Sequence, residues 1–352
     1  METRSLVIEN TQINDASKCF VIAEIGHNHQ GNIETAKKMI KAAVDAGASA
    51  VKLQKRDNRS LFTAAYYDRP YNSENSFGNT YGEHREFLEF NHDQYKELQN
   101  YSNELGTIFF ATAFDFKSAD FLQNLNVPAF KIASGDLKNL PLINYLADFG
   151  KPLIISTGGG YQEDIDRVAE SLENKKAPYS ILQCTAGYPP SWNELNLGVI
   201  STLRSKFPHP VIGFSSHDNG IAMSVAAYAL GARIVEKHFT LNRTLKGTDH
   251  AFSLEPQGLS KLVRDLDRLH VALGDGVKSQ YESEFDPLQK MGKKIVAAKA
   301  LSKGTVLCSD DFEFKSPGDG LPPWRIREII GKTLTRNLEF EEAVIELSLI
   351  HI

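Results

Sequence analysis

From Phe20 onward the chain repeats one unit, a short β-rich run followed by an amphipathic helical run. Eight such runs are read at residues 20–25, 50–55, 108–114, 130–134, 152–157, 180–185, 211–217 and 233–239. Helical patterns follow them, for example at 33–46, 93–105, 140–149, 164–173, 221–230 and 259–273, and Gly47, Gly106, Gly150 and Gly231 stand where a left-handed cap closes a helix. Alternating β and α units specify a parallel sheet, and eight of them specify a closed (β/α)8 TIM barrel of the α/β class. A doubly wound open sheet is the structural alternative. It is disfavoured because no glycine-rich dinucleotide turn follows the first run.

Periodicity changes after Gly274. The chain therefore divides into a barrel domain at 1–274, a linker at 275–291 and a small module at 292–352. The module carries short strands near 294–298 and 305–307 and one short helix near 325–330. It is marginal alone by size, so docking on another surface is expected. The segment 57–91 is long for a βα connection and rich in polar and aromatic residues, which reads as a loop covering a substrate.

Charge and cysteine content narrow the function classes. Net charge is −5 with no long run of one sign, so nucleic acid is not an expected partner, while a basic pocket for a small anion remains compatible. The three cysteines, Cys19, Cys184 and Cys308, have no metal-ligand spacing and suit a reducing compartment. Neither a signal peptide nor a membrane span is read, and a cytoplasmic location is expected.

Polar residues recur where the strands end. They are Glu24; Lys52 and Gln54; Thr112 and Asp115; Lys131, Ser134 and Asp136; Ser156 and Thr157; Gln183, Thr185 and Tyr188; Ser215 and His217; and Glu236 and His238. Active sites of these barrels form at that face. In Val51-Lys52-Leu53-Gln54 the alternation turns Lys52 and Gln54 inward. Any one polar strand end is adequately explained as a loop contact, but a coincidence at all eight is not. His217 and His238 lie on adjacent strands, with Glu236 and Asp249 nearby, and two histidines leave coordination positions open. Such a site suits Mn²⁺, Mg²⁺ or Co²⁺ as Lewis acid, the alternative being two structural histidines. Lys52, Lys131, Thr112, Ser134, Ser156 and Thr157 offer many donors to a phosphate, with backbone N–H groups of Thr157-Gly158-Gly159-Gly160 as possible additions. A Schiff base on Lys131 is the competing chemistry.

These residues form a series that resembles the sialic acid synthase family. The segments are Ala23-Glu24-Ile25-Gly26-His27-Asn28-His29-Gln30-Gly31, Val51-Lys52-Leu53-Gln54, Phe130-Lys131-Ile132-Ala133-Ser134-Gly135-Asp136, Ile155-Ser156-Thr157-Gly158, Gln183-Cys184-Thr185 with Tyr188-Pro189, Ile212-Gly213-Phe214-Ser215-Ser216-His217 and Val235-Glu236-Lys237-His238-Phe239-Thr240. Through Ala300-Leu301-Ser302-Lys303-Gly304 and Ser316-Pro317-Gly318-Asp319-Gly320, the terminal module resembles the antifreeze-like (SAF) domain of that family. The resemblance implies condensation of phosphoenolpyruvate with N-acetylmannosamine or its 6-phosphate to N-acetylneuraminate or its 9-phosphate.

The resemblance also implies roles. His217 and His238 hold a divalent ion, Mn²⁺ first. Lys52, Thr112, Lys131, Ser134 and Ser156 hold phosphoenolpyruvate, and Glu236 belongs to the same substrate site. Glu24 handles protons of the attacking water, Asp136 and Asp249 meet metal-bound water or sugar hydroxyls, and Gln54 and Tyr188 contact the sugar. Arg69, His84 and Arg85 are candidates for a sugar 6-phosphate, because the long loop together with Lys246-Gly247-Thr248-Asp249-His250 resembles the animal-type members. The module is expected to cap a neighbouring barrel in a domain-swapped homodimer.

Three departures bear on specificity: Asp136 where many bacterial members have Glu, Ala186 where some have Asn, and Ser316 where many have Arg. Synthases of Kdn, legionaminic or pseudaminic acid, or a catalytically silent sugar-binding protein, are the alternatives. Ice binding is a weak reading, because the module's charged residues form no regular hydroxyl array.

Overall fold

The structure, a computed structural model, describes residues 4–350. Eight parallel strands, Phe20–Gly26, Ala50–Lys55, Ile108–Ala113, Phe130–Ile132, Leu153–Ser156, Tyr179–Cys184, Val211–Ser216 and Ile234–His238, close into one barrel in sequence order. These strands are buried on both faces apart from Gln54 and Lys55, as expected of a parallel sheet enclosed by helices. Helices such as Ile33–Asp45, His92–Glu104, Gln162–Asn174 and Pro256–Ala272 lay an apolar stripe on that sheet. Their starts are chemically specified. Asn32 accepts from the Thr35 N–H, and Asn91 and Gln94 cap each other reciprocally. Before the eighth strand, Gly231 takes φ 103°, where any other side chain is strained, and a Cβ there would lie 2.5 Å from Arg204 Cδ and force that side chain to move.

The register places the functional side chains. His238 pairs with Glu24, and Glu24 with Lys52. Gln54 pairs with Thr112, Thr112 with Lys131, and Ser215 with Glu236. Neighbouring strands therefore deliver these groups at matching heights around one ring.

Several elements differ from the sequence reading. A hairpin, Ser5–Ile8 with Thr11–Asn14, precedes the barrel. Arg233 Nε donates to Asp15 O just ahead of the eighth strand, and Leu6, Ile8 and Ile13 are buried, so the hairpin packs on the N-terminal end, away from the site. Its runs of four residues are too short for alternation to separate them from a loop. The fourth strand stops at Ile132, because Ser134–Asp136 closes a 3-10 turn in which the Asp136 N–H donates to Ala133 O. The segment 57–91 carries three short helices, Asn58–Leu61, Ala64–Tyr67 and Tyr81–Leu88, joined by irregular stretches.

The chain divides into two compact units, Met1–Gly274 and Asp275–Ile352. Within the second, the stretch 275–291 contains the helix Phe285–Met291. Lys294–Ala297 pairs antiparallel with Phe312–Lys315 around a small core of Ile295, Leu301, Leu307, Phe312, Leu334 and Val344. The run at 305–307 is no strand and contributes a single bridge from Val306 to Thr333. Among the described residues, no helix is long and apolar enough to cross a membrane.

Candidate active site

At the C-terminal ends of the strands lies a cavity of about 690 Å³. Its floor is a buried network of two lysines and two carboxylates. Lys52 Nζ sits 2.6 Å from Glu24 Oε2, donates to Thr112 Oγ1 at 2.8 Å and stands 3.8 Å from Glu236. Lys131 Nζ donates to Ser156 Oγ at 2.6 Å and to Ile132 O at 3.1 Å, and lies 3.7 Å from Glu236. Glu24, Lys52, Lys131 and Glu236 are each at most 5% exposed. Removing such charges from water costs several kcal/mol per ion, so apolar residues would make a cheaper floor.

The two carboxyls are driven apart electrostatically. Burial, only partly offset by Lys52 and reinforced by Glu236, raises the Glu24 carboxyl to about 7. Glu236 is also buried, yet Lys131 and Lys52 outweigh that and hold its carboxyl below the usual range. One carboxyl can thus exchange a proton near neutral pH while the other stays a fixed anion. Gln54 links the floor to the wall, donating to Glu24 Oε1 at 2.7 Å and accepting from Arg56 at 2.8 Å.

His217 and His238 form one side of the cavity, with ring centroids 5.2 Å apart. His217 Nδ1 lies 3.0 Å from Thr185 O and donates to it, which leaves Nε2 bare. Burial, with His238 adding to it, lowers the His217 pKa to about 3, and burial lowers that of His238 too. His238 Nδ1 is buried without a hydrogen bond, 3.7 Å from Asp249 Oδ2. Two neutral imidazoles with free lone pairs fit a divalent ion. Among the described residues no group of three or more His, Cys, Asp or Glu converges as a metal cluster. An ion held here would take its remaining ligands from water or substrate. Tyr188 packs on His217 at 4.1 Å, and Phe252 borders both rings.

Most residues singled out from sequence meet in this cavity: Glu24, Lys52, Gln54, Thr112, Lys131, Ser134, Ser156, Tyr188, His217, Glu236, His238, Asp249, His84 and Arg85 all line it. Two do not. Arg69 is exposed, with its guanidinium 4.9 Å from the Tyr66 ring, and its backbone O accepts from the Tyr81 N–H. Asp136 is absent from the lining and accepts from Asn139 at 3.0 Å, since the 3-10 turn carries it past the strand end. Nor does the glycine turn offer all its amides: the Gly158 N–H donates to Ser134 Oγ at 3.0 Å. Ser215, named among the polar strand ends, lines the cavity too, while Arg56, His27 and Lys246 line it without having been given a role from sequence. Arg56 was legible, since positions 52, 54 and 56 continue one alternation.

A charged cavity at this face of the fold, lined by buried lysines, carboxylates and histidines, defines a (β/α)8-barrel enzyme. The chain belongs to the NeuB family, whose pattern matches residues 39–278, and a SAF domain matches residues 294–341. It is 42% identical to the N-acetylneuraminate-9-phosphate synthase of Homo sapiens over 329 residues, 93% of this chain and 92% of the relative. It is 35% identical to the N,N'-diacetyllegionaminic acid synthase of Campylobacter jejuni, over 94% of this chain and 99% of that one. Among solved structures it resembles an N-acetylneuraminic acid synthetase of Leptospira borgpetersenii crystallised with citrate, with TM-score 0.70 and 35% identity over 81% of this chain and 95% of that one. Enzymes of this family are generally metal-dependent.

Proposed function

We propose that the protein condenses phosphoenolpyruvate with N-acetylmannosamine 6-phosphate, giving N-acetylneuraminate 9-phosphate and inorganic phosphate. The observation that carries this reading is the Lys52–Glu24–Glu236–Lys131 floor sharing one cavity with the His217–His238 pair. The name of the human relative supports the phosphorylated sugar, at higher identity than the legionaminic acid synthase.

Lys52, Lys131, Thr112, Ser134 and Ser156 hold phosphoenolpyruvate through charge-assisted hydrogen bonds, and Glu236 keeps both lysines in place. Gln54, Tyr188 and Asp249 orient the open-chain sugar. A divalent ion on His217 and His238, Mn²⁺ by preference with Mg²⁺ or Co²⁺ as substitutes, supplies Lewis acidity at the sugar aldehyde. C3 of phosphoenolpyruvate attacks the aldehyde carbon, and water adds at C2. The resulting phosphate ester collapses with C–O cleavage, which leaves the ketone and releases phosphate. One water proton ends on the new hydroxyl and the other on phosphate, with Glu24 relaying between them.

The same reading carries a cytoplasmic homodimer in which the C-terminal module of one chain caps the barrel of another. Its support is the run of exposed apolar residues Tyr281, Phe285, Leu288 and Met291, and three unpaired cysteines. The test is phosphate release from phosphoenolpyruvate, Mn²⁺ and a panel of six-carbon sugars including N-acetylmannosamine and its 6-phosphate. Release with the 6-phosphate is expected, and no release with any sugar sinks the reading.

A further inference from the structure

Asn28 is buried at the cavity wall, yet no step of the reaction uses it. It stands just past the first strand. Between Glu24 and Gly26, two steps along that strand match one along the second, and Gly26 takes φ 54°, which favours glycine. The chain leaves the sheet there and turns, with the Asn28 N–H donating to Ile25 O at 2.9 Å. The turn aims the Asn28 amide across the seam between the first and eighth strands. Its Nδ2 donates to Phe239 O at 2.9 Å and to Ser253 Oγ at 3.0 Å, so both hydrogens are spent on the protein. A backbone carbonyl can only accept, and that fixes which way the amide points.

Those bonds fasten a strap. Residues 249–254 run to the end of the eighth strand, where the Leu254 N–H donates to His238 O at 2.8 Å and the Thr240 N–H to Leu254 O at 2.9 Å. Ser253 Oγ accepts from Asn28 and donates in turn to Asp249 O at 2.5 Å. Asn28, Phe252 and Ser253 are each at most 3% exposed. The strap bears on the histidine pair in two places. The Phe252 ring stands roughly edge-on to both imidazoles, with centroids 5.8 Å from His217 and 5.0 Å from His238. Asp249 Oδ2 lies 3.7 Å from His238 Nδ1, the ring nitrogen without a hydrogen bond. The orientation of a metal-binding imidazole is set by what its other nitrogen and its ring touch. Here those contacts come from a loop, which holds them only as firmly as its anchors allow.

We infer that Asn28 is a positioning residue for the histidine pair, acting through Ser253 to hold Asp249 and Phe252 against His238 and His217. The inference rests on the proposed ion at those histidines and extends the site to the turn after the first strand. Asparagine suits the place because one Nδ2 carries two hydrogens, which here reach a strand carbonyl and a loop hydroxyl together. Ionised aspartate, of the same shape, has no donor to offer either partner. The hydroxyl at Ser253 is needed in its turn, since it accepts and donates at once. A separate stitch holds the outer part of the loop, where Gln30 Nε2 donates to Lys246 O. Loss of Asn28 therefore frees the inner end of the loop alone.

Asn28→Ala and Ser253→Ala test the role, with Mn²⁺ dissociation constants read by calorimetry and by the spin resonance of the bound ion. His217→Ala, expected to abolish that binding, shows that the constants report this site. Each single variant is expected to bind Mn²⁺ about 10-fold more weakly, and the double variant no more weakly than either, because both cut one chain of bonds. Ser253→Thr keeps the hydroxyl and should recover most of the affinity. Melting curves establish that the variants fold, and Ser253→Ala, which removes a single oxygen, carries the test if Asn28→Ala does not. An unchanged Mn²⁺ constant in a folded variant overturns the inference, whatever happens to turnover. A raised KM for the sugar at that unchanged constant would make Asn28 a substrate contact instead. A wild type that binds none of Mn²⁺, Mg²⁺ or Co²⁺ overturns the ion and this inference with it. A wild type that forms no nine-carbon product, yet loses Mn²⁺ affinity on Ser253→Ala, contradicts the reaction and leaves the positioning role standing.

Discussion

Glu24 is the residue whose surroundings ask most of it, because it is buried beside both a lysine and a second carboxylate. Its pKa in the folded protein, about 7, lies above its ordinary 4.5. The folded state therefore binds the proton more tightly than the unfolded chain. Stability from this group is present in full below about 4.5 and is lost as pH rises through about 7. Thermal melts of wild type should show a decline across that window, and Glu24→Gln should flatten it. An unaltered slope in the variant would place the titration elsewhere. Lys131 tests the floor from the opposite charge. Lys131→Met leaves Glu236 buried and less compensated, at a cost of about 3 kcal/mol, and adding Glu236→Gln should recover part of that. Denaturant midpoints of the two single variants and the pair read this directly, and strictly additive losses would contradict the network.

At the scale of elements, the seventh and eighth strands have to hold two histidines in register. Behind them, Lys237 Nζ donates to Asp218 O at 2.6 Å and Oδ1 at 2.9 Å, with both side chains 1% exposed and outside the cavity. Each partner is next in sequence to one histidine, so the pair clamps the ends of both strands. Lys237→Met should lower Mn²⁺ affinity about 10-fold, read by calorimetry or by the spin resonance of bound Mn²⁺. Affinity unchanged in a folded variant would make the clamp a matter of stability alone. This pair was invisible to alternation, which only turns Lys237 away from the barrel interior. The inward set, Lys52, Gln54, Thr112, Lys131 and Glu236, was legible because a strand's period of two assigns its faces. Asp136 and Arg69 were not, since a turn and a helical loop, rather than a strand, decide where they point. The hairpin at 5–14 escaped for want of length, and the contacts of Arg56 and Lys246 depend on a fold-back that no local pattern encodes.

For the whole molecule, eight repeated units were enough to specify the barrel, because closure follows from their number. The register then carries chemistry that no single unit contains: cations and carboxylates beneath, imidazoles at one side and further cations above. Sedimentation at micromolar concentration should give a dimer mass, and replacing exposed Phe285 and Met291 with Asp should shift it toward the monomer. A monomer for wild type would contradict the swapped arrangement. The central claim, that this cavity joins phosphoenolpyruvate to a sugar aldehyde with C–O cleavage, is tested most directly with phosphoenolpyruvate carrying ¹⁸O at its bridging oxygen. Mass spectrometry after incubation with N-acetylmannosamine 6-phosphate and Mn²⁺ should find N-acetylneuraminate 9-phosphate without the label and inorganic phosphate with it. Label retained in the keto acid, or no nine-carbon product, would contradict the account.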